Sequence, residues 1–299
     1  MKVFTKLTDH FTSKSPIVLT LGFFDGMHLG HQQIFKKVAD LKGKDGFSYA
    51  LTFANHPQTV IKPGNPFPLI TTLRHRIKLI ENQGINSLFV LPFTEALREM
   101  SPDEFLLDLM EKITFTDIVV GPDATIGKDN EGNIELIKLL GKKYSFSLHH
   151  LDAHKKGKEK ISSTLIRQKV IKGDFETASQ LLGRPYSIIG NLTTGLQKGS
   201  KIGFPTLNFD VDGLVLPPFG VYKVLVNSKP AVANLGFAPT LQVRKSPVLE
   251  VHLLDASQIN PDNIYEVEFN KFIREEIRFH SVDELKAQIQ SDIQYATQN

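Results

Sequence analysis

The chain lacks cysteine altogether across its 299 residues. Without thiols it can form neither disulfide bonds nor thiolate zinc sites, and this composition fits a reducing compartment. Hydrophobic residues at 41% and charged residues at 22% are typical of a globular protein that can bury a full core. The length is sufficient for two domains, and we expect the protein in the cytoplasm.

Long apolar runs are also missing. No segment approaches the roughly 20 apolar residues that a helix needs to cross a bilayer. The opening residues Met-Lys-Val-Phe-Thr lack the apolar core of a signal peptide. We therefore expect no membrane partner.

Strong charge of either sign is absent, since the net charge is only +3. The densest basic run, residues 154–160, has no interleaved aromatic residues on which nucleic-acid bases could stack. We expect a solvated loop there and no nucleic-acid partner. Its charge could still draw anionic ligands to the neighbouring Ser-Ser-Thr segment.

The first half of the chain alternates strand and helix patterns. Apolar runs of strand length occur at 17–21, 49–53, 87–91 and 117–121. Helical patterns lie between these runs, including one capped by Ser101 with Glu104 three residues on. This alternation predicts a parallel sheet with helices on both faces, in an α/β domain. In such sheets ligands bind at the carboxyl ends of the strands.

The pattern changes after a last predicted helix at 174–182. Short β-branched and aromatic runs punctuated by Gly and Pro follow, at 186–192, 221–226, 231–235, 248–254 and 264–269. They predict an antiparallel β-barrel, and a capping box at 281–284 opens a terminal helix reaching to about residue 296. We therefore expect domains at 1–184 and 185–299.

The most informative segment, residues 22–31, reads Gly-Phe-Phe-Asp-Gly-Met-His-Leu-Gly-His and directly follows the first strand. His28 and His31 are about one helical turn apart, so both rings can face one point. Gly26 and Gly30 leave room for a phosphate to approach the backbone at a helix N-terminus. A metal site would favour His residues four apart with a third ligand. The segment therefore predicts a nucleotide site.

Three further segments place polar groups after predicted strands or at a helix start. Asn55 and His56 follow the second run, and Asp123 follows the fourth, although each alone is equally typical of a turn. Hydroxyl groups and free N–H groups coincide at the start of the helix opened by Ser162, Ser163 and Thr164. Arg167, about one turn on, can add a bidentate phosphate contact. An ordinary helix cap with an exposed arginine is the alternative.

In the second half, a glycine-rich loop precedes a Pro-Thr-x-Asn segment. Gly195, Gly199 and Gly203 permit a loop to fold over phosphates, although a plain barrel hairpin is the alternative. Oxygens of Thr206 and Asn208 can ligate a hard cation such as Mg²⁺.

Glu250 lies in a strand between Leu249 and Val251 and faces away from both. A solvent-facing carboxylate is the alternative to a functional one.

Taken in order, these segments resemble the bacterial bifunctional riboflavin kinase/FAD synthetase family over essentially the whole chain. The resemblance implies a Rossmann-like nucleotidyltransferase domain and a flavokinase barrel. It implies phosphorylation of riboflavin to FMN and adenylylation of FMN to FAD, with ATP and Mg²⁺ used in both reactions. His28 and His31 would stabilise the transferring phosphoryl group, and Glu250 would be the general base. Thr206 and Asn208 would bind the metal, and Asn55, His56 and Asp123 would line the adenylylation site. The implied ATP and phosphate contacts are Gly22, Phe24, Asp25, Gly26, Gly30, Ser162, Ser163, Thr164, Arg167, Gly195, Gly199 and Gly203.

The chain departs from the family pattern at a few positions. Ala124-Thr-Ile126 replaces an aromatic-rich segment, and Ser200 and Ala238 stand where family members often carry Arg. Ile264-Tyr-Glu266 replaces the usual Leu-Tyr-Gly. Three alternatives remain at this point. The chain could be an FAD synthetase with a degenerate kinase domain, a flavin-binding regulator without turnover, or a nucleotidyltransferase for another acceptor. The oligomeric state is unknown from sequence.

Overall fold

The computed structural model describes residues 1–8, 10–157, 159–193, 203–237, 246–254 and 264–298. The backbone forms two compact units. The first comprises Met1–Phe67 and Arg76–Ser162, and the second comprises Pro68–His75 and Ser163–Asn299. Four residues discussed above, Gly195, Gly199, Ser200 and Ala238, lie outside the described residues.

The first unit contains a six-stranded parallel sheet in the order β1-β4-β3-β2-β5-β6. Its strands are β1 (Lys2–Phe4), β2 (Ile17–Leu21), β3 (Phe47–Phe53), β4 (Ser87–Leu91), β5 (Asp117–Val120) and β6 (Ser147–His150). A small hairpin, β7 (Lys155–Lys156) and β8 (Glu159–Lys160), follows. The parallel sheet predicted from the alternation is confirmed.

Helices connect these strands: α1 (Leu29–Lys42), α2 (Pro57–Ile61), α3 (Leu73–Glu81), α4 (Glu95–Glu99), α5 (Pro102–Lys112) and α6 (Ile134–Tyr144). The capping box predicted for α5 is present, because Ser101 Oγ accepts from the Glu104 N–H and Glu104 Oε2 accepts from the Ser101 N–H. Short 3₁₀ turns occur at Asp25–Met27 and Lys128–Asn130.

The core of the first unit is built from the central strands and the helices that cover them. Ile17, Leu19 and Leu51 of the sheet are completely buried. Leu106 and Leu109 of α5 pack in the same cluster. Side chains from both layers exclude water from the sheet. This close packing fixes the strand ends that carry the polar residues of the carboxyl edge.

The second unit contains a seven-stranded antiparallel sheet in the order β10-β11-β14-β13-β12-β15-β9. Its strands are β9 (Ser187–Ile188), β10 (Asn191–Thr193), β11 (Thr206–Asp210), β12 (Gly220–Val226), β13 (Lys229–Phe237), β14 (Pro247–Leu253) and β15 (Val267–Arg274). Its helices are α7 (Ser163–Ile171), α8 (Phe175–Leu182) and the terminal α9 (Val282–Gln298). The predicted class, an α/β domain followed by an antiparallel barrel-type sheet and a terminal helix, is confirmed.

Helix α8 belongs to the second unit, although it precedes residue 184. Its first residue, Phe175, is buried and stacks on Phe269 at 5.6 Å and on Tyr186 at 6.2 Å between ring centroids. An edge contact to Tyr222 at 5.8 Å completes this aromatic cluster. Helix α8 therefore packs on the antiparallel sheet.

Two strand expectations are wrong in detail. The run 186–192 is divided into β9 and β10 around Gly190, where an added Cβ would lie 2.9 Å from the Asp210 carbonyl oxygen. The strand predicted at 264–269 has the wrong bounds, since β15 starts at Val267 and continues to Arg274. Within the described ranges, no helix combines the length and apolar character needed to cross a bilayer.

Candidate functional site

A pair of stacked imidazoles lies where β2 passes into α1. The ring centroids of His28 and His31 are 3.7 Å apart and their planes differ by 15°. His28 is the N-cap of α1, and its Nδ1 accepts a hydrogen bond from the His31 backbone N–H at 3.2 Å. Because Nδ1 must accept, neutral His28 carries its proton on Nε2. The cap thus fixes both the orientation and the tautomer of this ring.

The electrostatics of the pair favour a single positive charge at most. Burial lowers the pKa of His31 well below its ordinary value of 6.5, and the charge of His28 lowers it further. Across the described part of the chain, the buried Nδ1 of His31 has no hydrogen-bond partner. An anion bound against the rings would offset the burial of charge, so the site is suited to developing negative charge.

The turn before these rings holds an unusual backbone. Phe24 and Met27 have φ of 57° and 42°, and Gly26 between them has φ of 75°. Left-handed conformations are costly for residues with a Cβ, so the surrounding structure must hold this turn. The ring of Phe24 is buried and lies edge-on to His31 at 5.4 Å.

Gly30 serves the histidine pair directly. A Cβ added there would lie 3.1 Å from Nδ1 and Cε1 of His28 and 3.8 Å from the Cβ of His154. The absence of a side chain therefore makes room for the His28 ring. The approach of a phosphate to the Gly30 backbone stays a prediction from the sequence.

The loop after β6 and the hairpin bring the Ser162 segment towards this edge. The backbone N–H of Ile161 donates to the His154 carbonyl oxygen at 2.9 Å, and His154 adjoins Gly30. Lys160 donates to both carboxylate oxygens of Asp123 at 2.6 and 2.5 Å. These contacts join the end of β5, the hairpin and Ser162 within the first unit.

The rest of the hydroxyl cluster opens α7 in the second unit. Ser163 begins this helix and Thr164 is exposed. Arg167 donates through Nε to the Pro68 carbonyl oxygen at 2.9 Å. This contact fixes the guanidinium of Arg167 against the segment 68–75, which belongs to the same unit.

A cavity of about 450 Å³ opens at the carboxyl edge of the parallel sheet. Four phenylalanine residues line it, and its polar lining residues include Asp123. The lining includes Gly22, Phe23, Phe53, Phe93, Phe105 and Asp123. A concave, mostly apolar cavity with a few polar groups is the usual form of a small-molecule site.

The segment 124–126, where the sequence departs from the family pattern, contributes to the lining of this cavity. Ala124, Thr125 and Ile126 all line it. Thr125 Oγ1 donates to Asn130 Oδ1 at 2.8 Å, and Ile126 makes a two-way backbone bridge with Gly132. The segment is thus ordered by its own hydrogen bonds without the aromatic side chains of the family pattern.

Asn55 and His56 shape this edge. Asn55 accepts from the Phe93 N–H through Oδ1 at 2.9 Å and donates to the Phe93 carbonyl through Nδ2 at 3.0 Å, which ties the ends of β3 and β4 together. His56 caps α2 through Nδ1, stacks on Phe67 at 3.9 Å and contacts Phe23 edge-on at 4.4 Å. Neither residue is among those lining the cavity.

In the second unit, a polar row crosses three strands. Glu250 of β14 lies directly opposite Asn208 of β11 and Asn234 of β13. Directly opposed residues share a face of the sheet, so the carboxylate stands between two carboxamides. Thr206, two residues before Asn208 in β11, lies on the same face of the sheet and opposite His252. Asn208 is buried and Glu250 is partly buried.

The alternation predicted for β14 is confirmed, because Leu249 and Val251 are completely buried on the other face. Gly203, the described member of the glycine loop, is exposed with φ of 92°. That conformation favours glycine.

Sequence reasoning missed several residues at these sites: Phe23, Arg76, His154, Lys160 and Asn234. For Asn234 a signal existed, since one polar residue interrupts the apolar run 231–235. For Arg76, which is buried against the ring of Phe23, there was none, because a lone arginine in a helix normally indicates an exposed position.

Family models match both halves of the chain. One described as FAD synthetase matches residues 10–165, and one described as riboflavin kinase matches residues 182–299.

Curated relatives named bifunctional riboflavin kinase/FMN adenylyltransferase match nearly the full chain. The Bacillus subtilis protein is 36% identical over 290 residues, covering 93% of this chain and 91% of the relative. The Listeria monocytogenes protein is 32% identical over 295 residues, covering 96% and 93%.

A solved structure from Streptococcus pneumoniae is similar over 99% of this chain and 98% of its own, with a TM-score of 0.81 and 28% identity. Its title describes that protein as a macrolide-efflux protein.

Proposed function

This chain belongs to the bifunctional riboflavin kinase/FMN adenylyltransferase family, and from that premise we propose which of its residues carry each reaction. The protein is a transferase with two activities. It phosphorylates riboflavin with ATP to give FMN, and it adenylylates FMN with ATP to give FAD. The arrangement that carries the proposal is the stacked pair His28–His31 in one unit and the row Asn208–Glu250–Asn234 in the other.

Adenylyl transfer takes place at the histidine pair. A phosphate oxygen of FMN attacks the α-phosphorus of ATP, the bond to the bridging oxygen breaks, and pyrophosphate leaves. Negative charge grows on the oxygens around phosphorus, and His28 and His31 stabilise it. The N–H groups at the start of α1 add to this stabilisation. No covalent intermediate is required, since positioning and electrostatics suffice for phosphoryl chemistry.

The remaining contacts to ATP in this reaction come from two segments. Gly22, Phe24, Asp25, Gly26 and Gly30 form the turn that the phosphates approach. Ser162, Ser163, Thr164 and Arg167 supply hydroxyl, N–H and guanidinium groups to the triphosphate. The hydrogen bond from Ile161 to His154 supports this assignment for Ser162, which follows directly.

The aromatic cavity holds the flavin ring system of FMN. Its volume of about 450 Å³ and its phenylalanine walls suit a flat, three-ring heterocycle. Asp123 is one of its polar lining residues, while Asn55 and His56 fix the neighbouring loops through their hydrogen bonds.

Riboflavin phosphorylation takes place at the row in the second unit. Glu250 accepts the proton of the riboflavin 5′-hydroxyl as that oxygen attacks the γ-phosphorus of ATP, and ADP leaves. The oxygen donors of Thr206 and Asn208 fit Mg²⁺, which prefers hard ligands. Mg²⁺ bound there would neutralise phosphate charge. Gly195, Gly199 and Gly203 are the glycines that we assign to ATP phosphate binding in this reaction.

The functional division falls at 1–184 for the adenylyltransferase and 185–299 for the kinase. The family-model matches at 10–165 and 182–299 support this division. The cytoplasm is the proposed location, supported by the absence of cysteine.

One experiment tests both assignments. The purified chain is incubated with riboflavin, ATP and MgCl₂, and the flavins are separated by chromatography. We expect FMN and FAD to accumulate. Neither product should form when EDTA is added to chelate the Mg²⁺. Product only from added FMN would contradict the kinase assignment, and flavin binding without turnover would contradict both.

A further inference from the structure

Arg76 is an arginine with no contact to solvent: its exposed fraction is 0%. It lies in α3, where Nη2 donates to the Phe53 carbonyl oxygen at 2.5 Å. Its Cζ lies 3.9 Å from the centroid of the Phe23 ring, in a cation–π contact. In the described part of the structure, its buried Nε and Nη1 have no hydrogen-bond partner.

The charge of this side chain persists despite its burial. Burial lowers the pKa of the guanidinium to about 10, and the negative charge of nearby Asp25 opposes the shift. Arg76 is therefore a cation at neutral pH. A buried cation with two unpartnered nitrogens is unfavourable for stability, and an apolar residue would fill the same space at lower cost.

The groups that Arg76 touches all lie at the carboxyl edge of the parallel sheet. Phe23 and Phe53 line the aromatic cavity, whereas Arg76 itself does not. Asp25 is buried and begins the turn that leads to His28. Arg76 thus reaches the site only through other residues.

The turn beginning at Asp25 needs such a restraint. It carries left-handed backbone conformations at Phe24, Gly26 and Met27, with φ of 57°, 75° and 42°. A buried charge attracting Asp25 opposes relaxation of this turn, and relaxation would displace His28 from its cap position.

We propose that Arg76 is a positioning residue for FMN adenylylation, holding the Phe23 ring against the flavin cavity and the Asp25 turn beneath the histidine pair. The inference rests on the proposed roles of that cavity and of His28. It assigns a function to a buried charge that packing alone does not require.

The test compares Arg76→Lys, which keeps the charge but loses the planar stack, with Arg76→Met, which keeps the bulk but loses the charge. Arg74→Met is the matched control, because Arg74 is exposed on the same helix. For each purified chain, kcat and KM for FMN are measured in FAD formation. FMN formation from riboflavin and the thermal midpoint are measured on the same samples.

We expect kcat for FAD formation to fall by about 10- to 100-fold in Arg76→Lys, with a higher KM for FMN. FMN formation and the thermal midpoint should stay near those of the unsubstituted chain and of Arg74→Met. The proposal is overturned if Arg76→Lys keeps both constants, or if its FAD formation falls only in proportion to the folded fraction.

Arg76→Met separates the effect of the charge from that of the bulk. Full activity in FAD formation by this variant would also overturn the proposal. If Arg76→Met does not fold, the result for Arg76→Lys decides alone. Failure of the unsubstituted chain to make FAD from FMN would instead contradict the proposed function.

Discussion

The imidazole of His28 accepts a hydrogen bond from the backbone of His31 while its ring stacks on the His31 ring at 3.7 Å. One residue therefore caps the helix, fixes its own tautomer and adds to the effect of burial in lowering the pKa of its neighbour. Because two adjacent imidazolium ions repel each other, the pair carries one proton more readily than two. His28 thus has two roles, as a helix cap and as an imidazole at the site, and substitutions can separate them.

Substituting His28 should strongly reduce FAD formation whether or not the helix cap is kept. Asparagine is a good N-cap and alanine is a poor one, so His28→Ala should lose about 1 kcal/mol of stability that His28→Asn retains. Both variants lack the imidazole, and we expect both to lose about 100- to 1000-fold in kcat for FAD formation. The measurements are FAD formation from FMN and urea unfolding.

FMN formation from riboflavin is the internal control for these variants, and it should continue. If His28→Asn made FAD at the rate of the unsubstituted chain, the imidazole would act only as a cap.

The lowered pKa of His31 predicts a pH dependence of stability. In the unfolded chain His31 binds a proton below about pH 6.5, whereas in the folded chain the His31 imidazole stays neutral until a much lower pH. The unfolded state therefore binds more protons in this window, and the free energy of unfolding falls as the pH drops. One proton contributes at most about 1.4 kcal/mol per pH unit.

The measurement is the urea midpoint of the chain and of His31→Gln between pH 7.5 and 5. The unsubstituted chain should lose stability more steeply than the variant over this interval. Parallel curves would show that His31 does not cause the loss.

Glu250→Gln should give the reverse of the His28 phenotype. The amide keeps the shape of the side chain but cannot accept the proton of the attacking hydroxyl, so FMN formation should fall by about 100- to 10,000-fold. FAD formation from added FMN should continue. Glu275→Gln, which removes an exposed carboxylate from the same unit, is the control. Normal FMN formation by Glu250→Gln would exclude Glu250 as the base.

Regular patterns allowed much of the fold to be predicted from sequence. The buried strand β2, the capping box of α5 and the alternation around Glu250 are local patterns, and each is confirmed. The division of the run 186–192 into two strands was not predictable, because it depends on the distant Asp210 approaching Gly190.

The same limit applies to the candidate site. The His28 motif is contiguous in the chain and could be recognised as such. The burial of Arg76 depends on Phe23, Asp25 and Phe53, which are 23 or more residues away in sequence, so only the folded structure reveals it.

An ion pair between the partly buried Arg274 and the buried Asp292 holds the terminal helix to the sheet. Arg274 of β15 donates to Asp292 of α9 through Nε at 3.0 Å and through Nη2 at 2.7 Å, and Gln288 also donates to this carboxylate. Arg274→Met would leave the buried charge of Asp292 without its cation and should cost about 3–5 kcal/mol in the free energy of unfolding.

The double variant Arg274→Met/Asp292→Leu is the control for that substitution. It removes both charges, so most of the stability should return, as measured by urea unfolding of all three chains. A double variant as unstable as Arg274→Met would mean that lost packing, and not the unpaired carboxylate, causes the effect.

Gly30→Ala tests whether the geometry of the histidine pair limits adenylyl transfer. The added methyl group would lie 3.1 Å from the His28 ring, so the ring must move by a few tenths of an ångström. A misplacement of 1 Å can cost about 100-fold in rate, and we expect a smaller but measurable loss of kcat for FAD formation. Gln33→Ala, exposed on the same helix, should leave kcat unchanged. Because FMN formation depends on the other unit, it should be normal in both variants. A Gly30→Ala chain with unchanged kcat would show that the ring position is not limiting.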